Sequence, residues 1–143
     1  MLDRTTRRWI RTSADERAAA NGCRFDERAA AKVCEFFRRF LRHSKGDWAS
    51  KPFEPLEWQR DHVLYPLFGW KRPDSTRRFR KAYVELPKKN GKSTLAAGIG
   101  LYMLVGDREA GAECYSAATD QKQASIVHNE ACAMVDASPE LSA

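Results

Sequence analysis

The sequence predicts an α/β fold, a parallel β-α-β unit over residues 77–135 preceded by a helical segment, and three observations predict it. Residues 79–86 have the β-branched and aromatic character of a strand, with Tyr83, Val84 and Leu86 after a basic lead-in, and Pro87 ends the run. Asn90-Gly91-Lys92-Ser93-Thr94 follows and opens an apolar run over residues 95–105, long enough for a helix buried on a sheet. A second strand-like run, residues 112–118, leads into a further amphipathic pattern, and two strands separated by one helix make a right-handed β-α-β unit.

The remaining elements follow in chain order. Residues 1–24 carry Arg4, Arg7, Arg8, Arg11 and Arg17 among few core formers and break at Asn21-Gly22, which fits either a short helix or a loosely ordered basic arm. Residues 26–42 have helical period: Ala29, Val33, Phe36, Phe37, Phe40 and Leu41 form one apolar side, while Arg28, Lys32, Arg38, Arg39 and Arg42 lie mostly elsewhere. Gly46, Pro52 and Pro55 make residues 43–57 a connection, and residues 56–68 form a short helix rich in large apolar groups, so a helical lead-in spans 25–70. Between Lys71 and Lys81 stand Arg72, Arg77, Arg78 and Arg80, which with Arg60 fit a phosphate-backbone contact and fit equally a solvated loop entering a strand. Residues 106–111 form a turn. Thr119-Asp120-Gln121 caps a helix over residues 121–135, whose buried side is Ala124, Ile126, Val127, Ala131, Met134 and Val135.

The strand-loop-helix context gives Asn90-Gly91-Lys92-Ser93-Thr94 a chemical reading as a phosphate-binding loop of the P-loop NTPase type. Gly91 permits close backbone approach, Lys92 reaches the β- and γ-phosphates of ATP, and the Ser93 hydroxyl is placed for Mg²⁺. Asn90 and Gly91 lend backbone N–H groups, Thr94 stands on the α-phosphate side, and Lys88 and Lys89 add positive charge. The pattern G-x-x-x-x-G-K-[ST] is met except at its first glycine, where Leu86 stands.

A chain of 143 residues suffices for one modest domain. Its formal net charge of +6 favours polyanionic partners. Cys23, Cys34, Cys114 and Cys132 fit neither a zinc site nor a redox pair and read as buried thiols in a reducing compartment. The basic N-terminus has no apolar core for a signal peptide, and no run is apolar enough to cross a membrane, so a cytoplasmic protein is expected.

Residues 87–94 resemble the degenerate Walker A loop of the large terminase subunits of tailed bacteriophages, and three further segments agree in order and spacing. These are Pro55-Leu56-Glu57-Trp58-Gln59-Arg60, Leu67-Phe68-Gly69-Trp70 and Gly111-Ala112-Glu113-Cys114-Tyr115-Ser116-Ala117-Ala118. The resemblance covers roughly residues 22–142. It implies a truncated P-loop ATPase domain over 25–143, without the nuclease domain that family members carry C-terminally, that binds ATP and Mg²⁺ to drive DNA packaging in the host cytoplasm. The partners it implies are double-stranded DNA, the portal protein and the small terminase subunit, with a homo-oligomer for the full-length motor. It implies an adenine contact for Gln59, whose amide offers a donor and an acceptor side by side. In helicase-like ATPases the segment after the second strand approaches nucleic acid, which makes Thr119, Gln121 and Lys122 candidates for DNA contact and equally for a helix cap and nothing more. Lys88 stands where the family commonly has an arginine; lysine keeps the charge and loses the planar fork. A helicase-type P-loop ATPase and a non-catalytic DNA-binding remnant are the alternatives.

Hydrolysis also needs an acid to complete the metal shell and a group to orient water. Asp107 and Asp136 each end an apolar run, but both runs read as helices rather than as a third strand. The chain alone is therefore expected to bind nucleotide at most weakly and not to hydrolyse it above background.

Overall fold

A computed structural model describes residues 2–142, which divide into two compact units: residues 2–34 with Leu56–Val84, and Glu35–Pro55 with residues 85–142. Helix α3, Glu27–Phe40, contributes residues to both. Its N-terminus is capped by Asp26, whose Oδ1 accepts from the Ala29 N–H at 3.0 Å.

The first unit is built on aromatic packing. Helices α1, Arg4–Arg8, and α2, Ser13–Ala20, precede strand β1, Arg24–Phe25. A helical stretch runs through α4, Glu57–Gln59, a π-helical turn over Arg60–Leu64, and α5, Tyr65–Gly69, into strand β2, Trp70–Lys71. The two strands pair antiparallel, Phe25 opposite Trp70. Trp9 stacks on Phe25 with ring centroids 4.4 Å apart, and Phe25 meets Trp70 edge-on at 5.9 Å. Gly69 is required here, since a Cβ at that position would lie 2.4 Å from the Phe25 ring. Buried Thr6 accepts from the Phe25 N–H at 2.9 Å, which fixes the strand to α1.

In the second unit, helix α6, Lys92–Leu101, continues through a π-helical turn over Tyr102–Gly106 and packs along α7, Gln121–Asp136. Asp120 caps α7, accepting from the Gln123 N–H at 2.8 Å, as the sequence predicts. The short helix α8, Pro139–Ser142, follows. Phe37 and Leu41 are fully buried against α6, where a Cβ on Gly98 would come within 2.7 Å of the Phe37 ring. Phe36 meets Tyr102 edge-on at 5.4 Å. The 43–53 segment folds back on itself through bonds from His43 N–H to Lys51 C=O and from Ser50 N–H to His43 C=O, at 3.0 and 2.8 Å.

The expected parallel β-α-β core does not form among the described residues. Their sheet is the two-stranded antiparallel pair β1 and β2, and the chain is mainly helical. Residues 81–87 and 112–118 are without regular structure. A strand exists only where neighbouring backbone pairs its N–H and C=O groups, and these two segments do not pair with each other. Their apolar side chains stay in solvent, Tyr83 at 89% and Tyr115 at 86% exposure. The π-helical extension absorbs residues 102–106, so Asp107 follows a helix, as its apolar run predicts.

Candidate functional site

The loop between Leu86 and α6 takes its shape from two residues in the left-handed region, Lys89 at φ 68° and Gly91 at φ 70°. For Gly91 this conformation carries no steric cost, and nothing lies within 4 Å of where a Cβ would stand, so the backbone is open to close approach. Gly91 is the N-cap of α6. The helix's first backbone bond runs from Leu95 N–H to Gly91 C=O at 2.9 Å, which leaves the N–H groups of Lys92, Ser93 and Thr94 at the helix start, where an anion is favoured. Lys92 is exposed and its ammonium donates to the Leu86 carbonyl at 2.8 Å, closing the loop on itself at the position where the full motif has its first glycine. Asn90 is also exposed, with Nδ2 3.5 Å from the Pro87 carbonyl. Ser93 is half-buried on the first turn. Asn90, Gly91, Lys92, Ser93 and Thr94 are thus brought together at one helix end, with Lys88 and Lys89 on the exposed turn before it.

Behind the loop lies a carboxylate that the sequence reading passed over. Glu130 of α7 is 8% exposed. Its Oε1 accepts from Ser44 Oγ at 2.8 Å and from Thr94 Oγ1 at 3.4 Å, and its Oε2 stands 3.4 Å from Lys45 Nζ. Burial lowers the pKa of neighbouring His43, and the Glu130 charge acts in the opposite direction. The signal was present in the sequence: Glu130 falls on the apolar side of α7, three residues after Val127 and four before Met134, where a charged residue needs partners. Thr94 turns its hydroxyl toward this carboxylate.

Other expected residues have local roles. Gln59, in the first unit, is 4% exposed, and its side-chain carbonyl accepts from the Leu56 N–H at 2.9 Å, capping α4. In the basic run, Arg78 donates to Asp15 at 2.6 Å and its guanidinium lies over Trp70 and Phe79, while Arg60 holds Asp61 through two bonds of 2.7 and 3.0 Å. Those two arginines are committed within the unit. Thr119, Gln121 and Lys122 lie exposed around the start of α7. Among the described residues no cluster of His, Cys, Asp and Glu has the makings of a metal site, and no helix is long and apolar enough to cross a membrane.

No curated protein and no solved structure matches the chain. A family model does: that of the terminase large subunit, ATPase domain, which matches residues 57–143 and so takes in α4 through α8 with the whole of the 86–94 loop. Since the match covers more than half of the chain, the protein belongs to the terminase large subunit ATPase-domain family.

Proposed function

We propose that the 86–94 loop binds the phosphates of ATP with Mg²⁺, and that the chain is the nucleotide-binding portion of a motor that translocates double-stranded DNA into a phage procapsid. The observation that carries this reading is the helix start itself: a left-handed Gly91 in open space, three N–H groups free of helical bonds, and Lys92 and Ser93 on the first turn. Family membership supports the nucleotide and the DNA as its general ligands.

Each residue then has a role set by its chemistry. Lys92 leaves the Leu86 carbonyl and places its ammonium on the β- and γ-phosphates, a charge-assisted contact that more than replaces a neutral acceptor. The N–H groups at the start of α6 hold the phosphate oxygens, and Gly91 lets the backbone come close without a Cβ in the way. The Ser93 hydroxyl would hold Mg²⁺, which would supply neutralisation of the phosphate charge. Lys88 and Lys89 raise the local potential, and the chain's net charge of +6 favours both nucleotide and DNA. The portal protein and the small terminase subunit are the proposed assembly partners, in the host cytoplasm.

The test is an equilibrium titration of a fluorescent ATP analogue, with Mg²⁺, against the protein and its Lys92→Ala variant. Lys92 is an exposed cation on the first turn of α6, outside the core, so the variant keeps its fold and loses most of its affinity. Equal affinities would remove the loop assignment.

A further inference from the structure

We infer that Glu130 is a positioning residue for the nucleotide loop: from α7 it holds the first turn of α6, through Thr94, in register with the 43–53 segment. The inference rests on the reading of the 86–94 loop proposed above. It starts from a side chain in the wrong place. The apolar stripe of α7 runs through Val127, Ala131 and Met134, and Glu130 interrupts it while remaining 8% exposed. A buried carboxylate is costly unless paired, and an apolar residue at such a site is often neutral or stabilising. Stability alone therefore gives no reason for an acid here, whereas fixing a geometry does.

The partners define that geometry. Ser44 bonds Oε1 at 2.8 Å, an ordinary length for a hydroxyl donor, and Lys45 stands 3.4 Å from Oε2, so the carboxylate is held from the 43–53 side. Thr94 reaches the same Oε1 at 3.4 Å, a long and weak bond. The anchored partner is thus Ser44 with Lys45, and the adjustable one is Thr94. Thr94 adjoins Ser93 and contributes one of the N–H groups at the helix start, so its rotamer and the pitch of that turn are coupled to where Glu130 sits. Glu130 does not touch nucleotide in this account; it acts on the residues that do.

The test is a binding cycle on the whole chain, read with a fluorescent ADP analogue in Mg²⁺ and accompanied by the melting temperature of each variant. Glu130→Ala should weaken binding about tenfold, the scale of one hydrogen bond to a charged group. Glu130→Gln keeps an acceptor oxygen for Ser44 and Thr94 and should stay within about threefold of the parent. Thr94→Val removes only the hydroxyl and should weaken binding as well, and the double variant Glu130→Ala, Thr94→Val should be no worse than the weaker single one, since the two side chains act as one unit. Unchanged affinity in a folded Glu130→Ala protein, or additive losses in the double variant, overturns the inference. Should Glu130→Ala fail to fold, unchanged affinity in Thr94→Val overturns it equally. Lys92→Ala separates the two levels: if it abolishes binding while Glu130→Ala does not alter it, the positioning role falls and the loop reading stands, and if both bind like the parent, the loop reading falls and takes the positioning role with it.

Discussion

Two glycines two residues apart on α6, and so on opposite faces of it, should respond to the same substitution with opposite signs. A Cβ built on Gly98 lies 2.7 Å from both Cε1 and Cζ of Phe37 and 3.0 Å from Cδ1 of Leu41, whereas one built on Gly100 meets nothing within 4 Å. Phe37 and Leu41 are both fully buried, so neither has open space into which to swing. Replacing glycine by alanine inside a helix contributes about 1 kcal/mol of backbone entropy and propensity. Overpacking a filled core costs about 1 to 3 kcal/mol. Gly100→Ala keeps the first effect alone and should stabilise the protein by up to about 1 kcal/mol. Gly98→Ala carries both, and the net change should be a loss of up to about 2 kcal/mol. Urea unfolding followed by far-ultraviolet circular dichroism gives both values, provided the slope with denaturant is unchanged. If Gly98→Ala stabilises as much as Gly100→Ala, α6 is not seated on Phe37 and Leu41, and the packing that presents the loop has been misassigned.

Gln59→Ala should lower stability by about 0.5 to 2 kcal/mol, because the side-chain carbonyl that caps α4 is lost, with the preference for ATP over GTP unchanged; a shifted ATP/GTP ratio would give Gln59 the base contact instead. Asp15→Asn should destabilise the first unit by about 1 to 3 kcal/mol, since the partly buried Arg78 guanidinium loses its counter-charge. Acid should act on the same pair. Burial alone would raise the Asp15 pKa, but hydrogen bonds from Arg78, Thr12 and the Arg11 N–H outweigh it and hold the carboxyl below its ordinary 3.8. A carboxyl with a depressed pKa stabilises the fold above its ordinary value and loses that contribution as pH falls through the folded one. Melting temperature should therefore hold steady down to about pH 5 and drop below about pH 4, and Asp15→Asn should flatten the drop; a parent protein as stable at pH 3 as at pH 7 would contradict the pairing.

What the sequence made legible was local. The helix over residues 26–42, the short helix after Leu56 and the helix capped by Asp120 all appear, because helical period and caps are written within a few residues of one another. The loop residues also gather at a helix start as the spacing predicts. The two parallel strands do not appear, because a strand is defined by backbone outside itself, and residues 81–87 and 112–118 join no sheet among the described residues. Arg78 illustrates the same divide. Its place in a basic run fits a phosphate contact and a solvated loop equally, but its partner is Asp15, far off in sequence, and no local pattern announces that contact. Glu130 was legible in principle, as an acid on an apolar stripe, but its partners Ser44 and Thr94 come from two other segments that only folding brings together.

The central claim is that phosphates on the start of α6 hold the nucleotide, and calorimetric titration of the chain with ATP, ADP and adenosine in Mg²⁺ tests it most directly. ATP and ADP should bind and adenosine should give no saturable heat, because Lys92, Ser93 and the N–H groups beside them recognise phosphate and not the nucleoside. Adenosine binding as tightly as ATP, or ATP binding unchanged in Lys92→Ala, would contradict the account.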